Sequence, residues 1–496
     1  MNKENYISIC FAIALLFILQ IVKSQTEKRV FTLNEVIQLS REQSPQAIMA
    51  RHSFRSSYWQ YRTHKAEFLP NLTLKSTLPD FNQSLSIIQN DSGSYNYIED
   101  YVNKGNLNLS LTQNIGLTGG TVYMNSNLQR VDQFGDNRTT SYLTTPVGIG
   151  FTQPIRAHNE FRWEKRIEPL KYQAAQQEYL NAMEDVALRA IRYYFELARA
   201  QINLHITATN YANTDTLYRI AQGRYNIGTI AENELLQMEL SFLNAGLAYN
   251  EAQIDLQAKK YQLQSFLGYN ERVDIELEIP KEIPKVEIEY IKALEQAHLN
   301  NPEIVQQRIN LLQAEREVAK AKAEKGLNAN LFASFGLTQQ SDNFYDAYVR
   351  PSNQESVRVG LELPIVDWGL GKKNYKMARS NEELVRVQVE QAQMDFEQEV
   401  FMQVMQFNLQ DDQLMIAGKA DTIAQKRYEV AKQRFLIGKI DVLDLNVALT
   451  EKDQAKRAYI DAMRDFWSYY YNIRRITLYD WKEDKPLSED YDDLID

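Results

Sequence analysis

The chain has 496 residues, a formal net charge of −10 and one cysteine. This length could hold about three ordinary domains. The acidic balance argues against a nucleic-acid partner, because no surplus of basic residues is available to neutralise phosphates. The cysteine, Cys10, lies inside the first apolar stretch, so the sequence beyond that stretch excludes disulfides and cysteine-based metal or catalytic sites.

The N-terminus has the pattern of a secretory signal peptide. Charged Lys3 and Glu4 precede an apolar run from Ile7 to Val22, and Lys23-Ser24-Gln25 follow it. We therefore predict a signal peptide over residues 1–24. The alternative is an uncleaved membrane anchor, for which the run is short. No later run approaches the roughly 18 apolar residues of a spanning helix, so any further membrane crossing has to use strands.

Residues 25–268 form the first of two predicted repeats, which begins with a short helix and a region of strands. The helix is expected from Thr32 to Phe68, since Thr32 and Glu35 have the spacing of an N-terminal capping box. From Leu107 to Leu111, apolar and polar residues alternate, which is typical of a strand with one apolar face. Taken alone, this pattern fits both a half-buried soluble sheet and a membrane barrel.

Two helices complete the first repeat. A long helix is predicted from Phe161 to Asn226, where apolar residues recur every three or four positions. Pro169 should kink this helix or mark its true start. Beyond Gly228, a heptad pattern from Leu235 to Leu263 predicts a second short helix in coiled-coil packing.

Residues 269–288 are rich in proline and glutamate and are expected to link the repeats at the level where the short helices meet. The second repeat, residues 289–480, shows the same order of elements. Its predicted parts are a short helix from Glu289 to Lys325, strands around Val357 to Leu363, a long helix from Lys372 to Ile437 and a heptad-patterned helix from Leu445 to Ile473. Residues 481–496 are acidic and are expected to be disordered.

The repeats align at two different offsets. Residues 210 apart match toward the end of each repeat, as Gly228 matches Gly438, whereas residues 257 apart match near the start, as Asn71 matches Asn328. The first repeat therefore carries about 47 extra residues between Asn71 and Pro154. We expect them to enlarge an extracellular loop or to form a small added hairpin. The alternative is that they give each protomer six strands instead of four.

The predicted helix lengths suggest how the elements are arranged. At about 1.5 Å per residue, each long helix would extend roughly 100 Å, and the two short helices of a repeat would together reach a similar length. Each repeat is therefore expected to place one continuous helix beside one stacked pair. The long helix would run away from the strands, turn at Gly228 or Gly438, and return as a short helix.

Several strings at matched places in the two repeats resemble the TolC-type outer-membrane factors, and the resemblance covers nearly the whole chain after the signal peptide. The strings are Ser44-Pro45 and Asn301-Pro302 in the first short helices, Thr152–Ile155 and Leu363–Gly369 before the long helices, Arg224–Gly228 and Arg434–Gly438 at the helical tips, and Asp441–Asp444 after the second tip. The resemblance implies a mainly α protein with β structure. Its tandem-repeat protomer would consist of long coiled-coil helical hairpins and amphipathic strands, which form a shared trimeric transmembrane β-barrel and a periplasmic α-helical tunnel.

The same resemblance implies a function. A homotrimer in the bacterial outer membrane, in contact with its lipid, would be the exit duct of a tripartite efflux pump or a type I secretion system. It would passively conduct small molecules or polypeptides delivered by an inner-membrane transporter and a periplasmic adaptor protein, and it would not be an enzyme. A periplasmic adaptor and a surface coiled-coil structural protein are the alternatives. An adaptor would show one hairpin flanked by small β-domains.

The gate is predicted at the second tip. Asp441 and Asp444 are three apart on a helical turn and share a face, so three copies around an axis would form two acidic rings that bind cations. The resemblance implies that both aspartates line the constriction, and that Phe435 and Lys439 occupy places used in the closed state. The alternative for Asp441 is a cap on the returning helix.

Adaptor docking is assigned to both tips, where glycines suit the left-handed turn that ends a helix. The assigned residues, in addition to Lys439, are Tyr225, Ile227, Gly228, Thr229, Ile437 and Gly438. No metal, cofactor or catalytic site is predicted, because the five histidines lack a ligand spacing such as His-x-x-x-His and no phosphate-binding glycine loop is present. The many carboxylates fit solvated coiled-coil faces.

Overall fold

The computed structural model describes residues 28–89, 93–134, 138–155, 157–269, 274–280 and 283–495. The predicted signal peptide, with Cys10, lies outside the described residues. The chain forms two compact units. The first contains the described parts of Met1–Phe54, Gln176–Asn301 and Asp395–Asp496, and the second those of Arg55–Ala175 and Pro302–Met394.

Long helices dominate the secondary structure. The described helices are α1 (Leu33–Gln43), α2 (Pro45–Ala66), α3 (Glu160–Asn226), α4 (Glu232–Phe266), α5 (Tyr290–Asn300), α6 (Pro302–Glu324), α7 (Leu370–Asn408), α8 (Gln410–Leu436) and α9 (Val442–Thr477). None of these described helices has a stretch apolar enough to cross a membrane.

The strands of the described residues form one large sheet and two small pairs. Those of the large sheet are β2 (Asn71–Gln89), β3 (Tyr95–Ile115), β4 (Gly120–Gln133), β5 (Thr139–Pro154), β7 (Asn328–Ser341) and β8 (Ser352–Glu362). The small pairs are β1 (Lys28–Phe31) with β6 (Asp274–Leu277) and β9 (Tyr479–Asp480) with β10 (Lys485–Pro486). The parallel pair β1–β6 brings the linker between the repeats to the segment that precedes α1.

The predicted first short helix of each repeat is two helices in the structure. The capping box before α1 is confirmed, because the Thr32 N–H donates to Glu35 Oε2 at 2.8 Å and the Glu35 N–H donates to Thr32 Oγ1 at 3.4 Å. Ser44, between α1 and α2, and Asn301, between α5 and α6, have ψ angles of 146° and 130°. A proline follows each of them and disfavours the helical conformation in the preceding residue. The prediction of unbroken helices was therefore wrong at these two points.

The long helices keep the 210-residue offset, but only the first is continuous. α3 passes through Pro169, so this proline does not mark the start of the helix. The second long helix, predicted to be unbroken, is divided at Leu409 into α7 and α8. Beside the division, Asn408 Nδ2 donates to the Ile288 carbonyl at 3.0 Å, and Asn408 Oδ1 accepts from the Ile288 N–H at 3.3 Å. These bonds attach the inter-repeat linker to the end of α7.

The extra residues of the first repeat form strands rather than a loop. The large sheet is antiparallel, in the order β2-β3-β4-β5-β7-β8, and β3 and β4 are inserted between β2 and β5. The strands β3 and β4 pair from Val102 with Gln133 to Ile115 with Gly120. The expectation of an enlarged loop or a small hairpin was therefore wrong, and the alternative of six strands per protomer describes the sheet.

One face of this sheet carries an apolar row across five of its six strands, from β2 to β7, and the row ends at Glu355 of β8, which pairs with Phe335. In register, Leu111 of β3 pairs with Leu72 of β2 and Met124 of β4; Met124 pairs with Ile149 of β5, and Ile149 pairs with Phe335 of β7. These side chains are 37–64% exposed. A continuous exposed apolar surface of this kind marks contact with a membrane or another protein.

A buried ion network fixes several elements of the first unit. Arg474 of α9 donates to both carboxylate oxygens of Glu184 on α3 at 3.2 Å, and to Asp480 of β9 at 2.5 Å. Arg41 of α1 donates to the same glutamate at 2.6 Å. Removing one partner of a buried pair costs about 3–5 kcal/mol, so this network holds α1, α3, α9 and β9 together.

The C-terminal segment is packed, although its acidic composition predicts disorder. The Tyr491 hydroxyl donates to the Gln176 carbonyl at 3.3 Å, and its ring lies 5.3 Å from that of Phe54. Leu494 is 7% exposed. The prediction of a disordered tail was therefore wrong for the described residues, because apolar residues between the acidic ones anchor it to the first unit.

Candidate functional site at the helical tips

Each long helix ends in the same turn. At the first tip, the Gly228 N–H donates to the Tyr225 carbonyl and the Thr229 N–H to the Arg224 carbonyl, both at 2.9 Å. Gly228 has a φ of +74°, a conformation that side chains with a Cβ rarely adopt. This is the Schellman motif, which satisfies the last carbonyls of a helix. The sequence prediction of a glycine turn at the first tip is confirmed.

The second tip repeats the motif and adds a cap. The Gly438 N–H donates to the Phe435 carbonyl and the Lys439 N–H to the Arg434 carbonyl, both at 2.9 Å, and Gly438 has a φ of +74°. The returning helix α9 is capped by Asp441, whose Oδ1 accepts from the Asp444 N–H at 2.9 Å. The matching N-cap of α4 is Ala231, which has no side-chain cap.

The two tips share one apolar core in the first unit. Phe435, which the resemblance assigns to the closed gate, is 5% exposed and lies inside this core. Burial raises the pKa of Tyr428 to about 12, with smaller contributions from Glu429 and Asp453, so its phenol is neutral. The other buried members are Leu217, Ala221, Met238, Val442 and Leu445.

One arginine joins the tips. Arg224 donates from Nη2 to the Leu436 carbonyl at 2.8 Å and to the Phe435 carbonyl at 3.4 Å. Its guanidinium also lies 5.5 Å from the centre of the Phe435 ring. In the sequence, Arg224 is recognisable only as part of a repeated string. The signal for this contact is the Arg-aromatic pair Arg224-Tyr225, which recurs 210 residues later as Arg434-Phe435.

The remaining predicted residues are on the outside of the tips. Ile227 is 75% exposed, Ile437 65% and Tyr225 40%. Lys439, Asp441 and Asp444 are also exposed. An open groove of about 660 Å³ runs between the tips, lined among others by Arg224, Ile227, Thr229, Phe435, Lys439 and Asp441. The tips thus combine exposed apolar side chains with both cationic and anionic groups.

The chain is similar to known outer-membrane proteins. It matches the family described as outer membrane efflux protein over residues 36–269 and 293–477. The structure of the CmeC outer membrane channel of Campylobacter jejuni has 18% identity and a TM-score of 0.67, covering 93% of this chain and 88% of that one. VceC of Vibrio cholerae has 15% identity and a TM-score of 0.63, covering 90% and 95%. The open state of the MtrE outer membrane channel of Neisseria gonorrhoeae has 16% identity and a TM-score of 0.60, covering 90% and 88%.

No curated protein sequence matches the chain. The tandem hairpins, the amphipathic sheet and the paired tips define the protomer of an outer-membrane channel. The chain belongs to the outer membrane efflux protein family. The predicted family, fold class and outer-membrane location are thereby confirmed, and the family consists of channels rather than enzymes.

Proposed function

We propose that the protein is the exit duct of a tripartite efflux pump or a type I secretion system. In this proposal a homotrimer passively conducts small molecules or polypeptides from an inner-membrane transporter and a periplasmic adaptor. The observation that carries it is the pair of tips, which have the same turn in both repeats and exposed residues at matched positions. The MtrE structure with which the chain aligns is an open state, which supports a gated duct.

The sheet supports a membrane barrel shared by three copies. Within the described residues, β2 and β8 each pair with one neighbouring strand and leave the other edge open. Unpaired backbone groups cannot face lipid, so an amphipathic sheet in a membrane has to close. Because six antiparallel strands alternate in direction, β8 of one copy would meet β2 of the next in antiparallel pairing. Three copies would then close a barrel of eighteen strands.

The repeats also support contacts between copies. Arg224 meets Phe435 within the chain, and the residues related by the repeat are Arg434, which is exposed, and Tyr225, which is 40% exposed. In a ring of three copies, Arg434 would make the same contact with Tyr225 of the next copy. The tips would then be joined by six similar contacts, of which three lie between copies.

The gate belongs to the second tip in this proposal. Asp441 and Asp444 are exposed, and three copies would bring six carboxylates to the axis. Asp441 can both cap α9 and contribute to the ring, since its Oδ1 alone accepts the Asp444 N–H and a carboxylate has further lone pairs. The exposed Ile227, Ile437 and Tyr225 offer apolar contacts to an adaptor, whose docking would open the tips.

Single-channel conductance of the purified full chain in planar lipid bilayers tests this proposal. The wild type should form pores that divalent cations block from the tip side. The double variant Asp441→Asn, Asp444→Asn keeps a side chain able to cap the helix but removes the charge. It should need about tenfold more cation for half block, which corresponds to roughly 1.4 kcal/mol of cation binding.

The matched control is Asp411→Asn, Asp412→Asn, which removes two exposed carboxylates from the first turn of α8. It should block like the wild type. Equal block in all three proteins would disprove the gate assignment, and the absence of any pore would disprove the proposed exit duct.

A further inference from the structure

A histidine and two glutamates form a cluster in the second unit. His64 lies in the last turn of α2, Glu67 directly follows that helix, and Glu164 lies near the start of α3. One potential ligand atom from each of the three side chains lies within 4.8 Å of the other two. His64 Nδ1 is 4.0 Å from Glu67 Oε2. The spacing His-x-x-Glu brings the first two together on one helix face, and the fold adds the third.

Glu164 is the member that needs a partner. Its Oε2 atom is buried and has no hydrogen-bond partner among the described residues. A buried polar oxygen without a partner costs free energy. One turn earlier on α3, Glu160 pairs with His158 at 2.9 Å and with Arg316 at 3.2 Å.

Of the other two side chains, His64 is held by aromatic packing and Glu67 is open to solvent. The His64 side chain is only 11% exposed, and its ring packs edge-on against Phe68 at 5.2 Å between ring centres. Phe68 in turn packs against Phe161 at 5.5 Å, so the imidazole is held between α2 and α3. The Glu67 side chain is 51% exposed, which leaves a route from solvent to the centre of the cluster.

One imidazole nitrogen and two carboxylates are a donor set that suits transition metals such as zinc. Zinc binds such ligands at about 2.0–2.2 Å, so the ligand atoms of an occupied site are separated by about 3–4 Å. Small side-chain rotations would bring the three observed atoms to these separations. We propose that His64, Glu67 and Glu164 bind one divalent transition-metal ion, with zinc as the best match, and that water completes its coordination.

The bound ion would act as a clamp. It would join the end of α2, just before β2 begins at Asn71, to the start of α3, just after β5 ends at Pro154. The site would thus stabilise the junction where helices meet the sheet. The proposed metal site does not depend on the gate residues or on the transported substrate.

Isothermal titration of the detergent-solubilised full chain with ZnCl₂, after chelator treatment and dialysis, tests the site. The wild type should bind one Zn²⁺ per protomer and gain thermal stability. His64→Ala and the isosteric Glu164→Gln should each weaken binding at least about tenfold, as even loss of an outer partner of a metal ligand costs about 10–100-fold. The control His52→Ala removes an exposed histidine from the same helix and should bind like the wild type.

Circular dichroism and gel filtration show whether each variant folds. If His64→Ala does not fold, Glu164→Gln still tests the site. The proposal is overturned if the wild type shows no saturable Zn²⁺ binding, or if a folded Glu164→Gln variant binds Zn²⁺ as tightly as the wild type. It is also overturned if His52→Ala weakens binding as much as His64→Ala. Pore formation is not measured in this experiment, so a negative result for Zn²⁺ binding would not contradict the proposed duct.

Discussion

The Arg224 side chain makes two kinds of contact with the end of the other long helix. It donates to the last carbonyl of α8 and covers the face of Phe435, so the end of one long helix supports the end of the other. Arg434, at the matching place in the second repeat, is exposed, and Tyr225 offers the matching ring. The arginine of the first repeat makes its contacts within the chain, whereas the matching arginine of the second repeat is exposed. This difference indicates where a second copy of the chain can bind.

We expect Arg434→Ala to loosen the ring of tips without unfolding the protomer. It should increase the open fraction of single channels and lower the temperature at which trimers dissociate in SDS. Arg224→Ala should in addition lower protomer stability by about 1 kcal/mol, because it removes a hydrogen bond within the chain.

Arg219→Ala is the control for both variants. The Arg219 side chain is 74% exposed and pairs with Asp215 one turn earlier on α3, and such exposed pairs contribute little to stability. If Arg434→Ala has the same open fraction and the same temperature of trimer dissociation as Arg219→Ala, the repeat-related contact between copies does not exist.

At the scale of the elements, short polar contacts decide where helices end and meet. Proline divides α1 from α2 and α5 from α6, and the glycine of each Schellman motif ends a long helix. The ion network around Arg474 joins α1, α3 and α9 to β9, and one of its acids makes the network sensitive to pH. Burial acts to raise the pKa of Asp480, but Arg474 and the backbone N–H groups of Glu483 and Lys482 outweigh it, and the pKa is lowered from 3.8.

A carboxylate with a lowered pKa in the folded state stabilises the fold above its unfolded pKa of about 3.8, and this stabilisation is lost as the pH falls through the lower folded value. We therefore expect the thermal stability of the wild type to fall below about pH 4. Asp480→Asn should be less stable by about 2 kcal/mol at pH 7 and should lose less on acidification.

Thermal unfolding followed by circular dichroism from pH 7 to pH 2.5 measures this difference. Asp411→Asn, at an exposed position on α8, is the control and should follow the wild type at every pH. Parallel curves for Asp480→Asn and the wild type would contradict the assignment of this pH dependence to Asp480.

At the scale of the whole molecule, the sequence pattern predicts the parts that depend on period and repetition. The 210-residue offset places α3 and the start of α7 correctly, since Glu160 matches Leu370 and both begin helices. It does not predict the division at Leu409 or the burial of Phe435, because these depend on contacts with distant residues such as Ile288 and the tip core. The cluster at His64 was missed for the same reason, as Glu164 is far away in the sequence.

The repeat also leaves apolar faces exposed in a single copy. On α8, Ile416, Ile423 and Val430 are 57–64% exposed at seven-residue intervals, and on α4, Leu240, Leu247 and Ile254 are 58–73% exposed at the same interval. Such heptad stripes are typical of helices that pack in coiled coils. In the ring that we propose, α8 of one copy would face α4 of the next, as α3 faces α9 within the chain.

The internal contact gives the register of this interface. Asn210 of α3 donates to Asp453 of α9 at 2.6 Å, and the residues related by the repeat are Ala420 on α8 and Leu243 on α4, both exposed. We expect the double variant Ala420→Cys, Leu243→Cys to be joined between copies by a short bismaleimide and to give covalent dimers and trimers in SDS gels.

Because Cys10 is the only native cysteine and lies in the predicted signal peptide, the reaction reports the introduced pair. The control Ala420→Cys, Ile254→Cys places the second thiol on the same helix but eleven residues further on, about 16 Å along the axis, and it should remain monomeric in SDS. Two outcomes would contradict this register: equal cross-linking of the two variants, or no cross-linking of either while trimers persist. In both cases the repeats pack differently between copies than within one copy, and the proposed ring of six similar contacts at the tips is wrong.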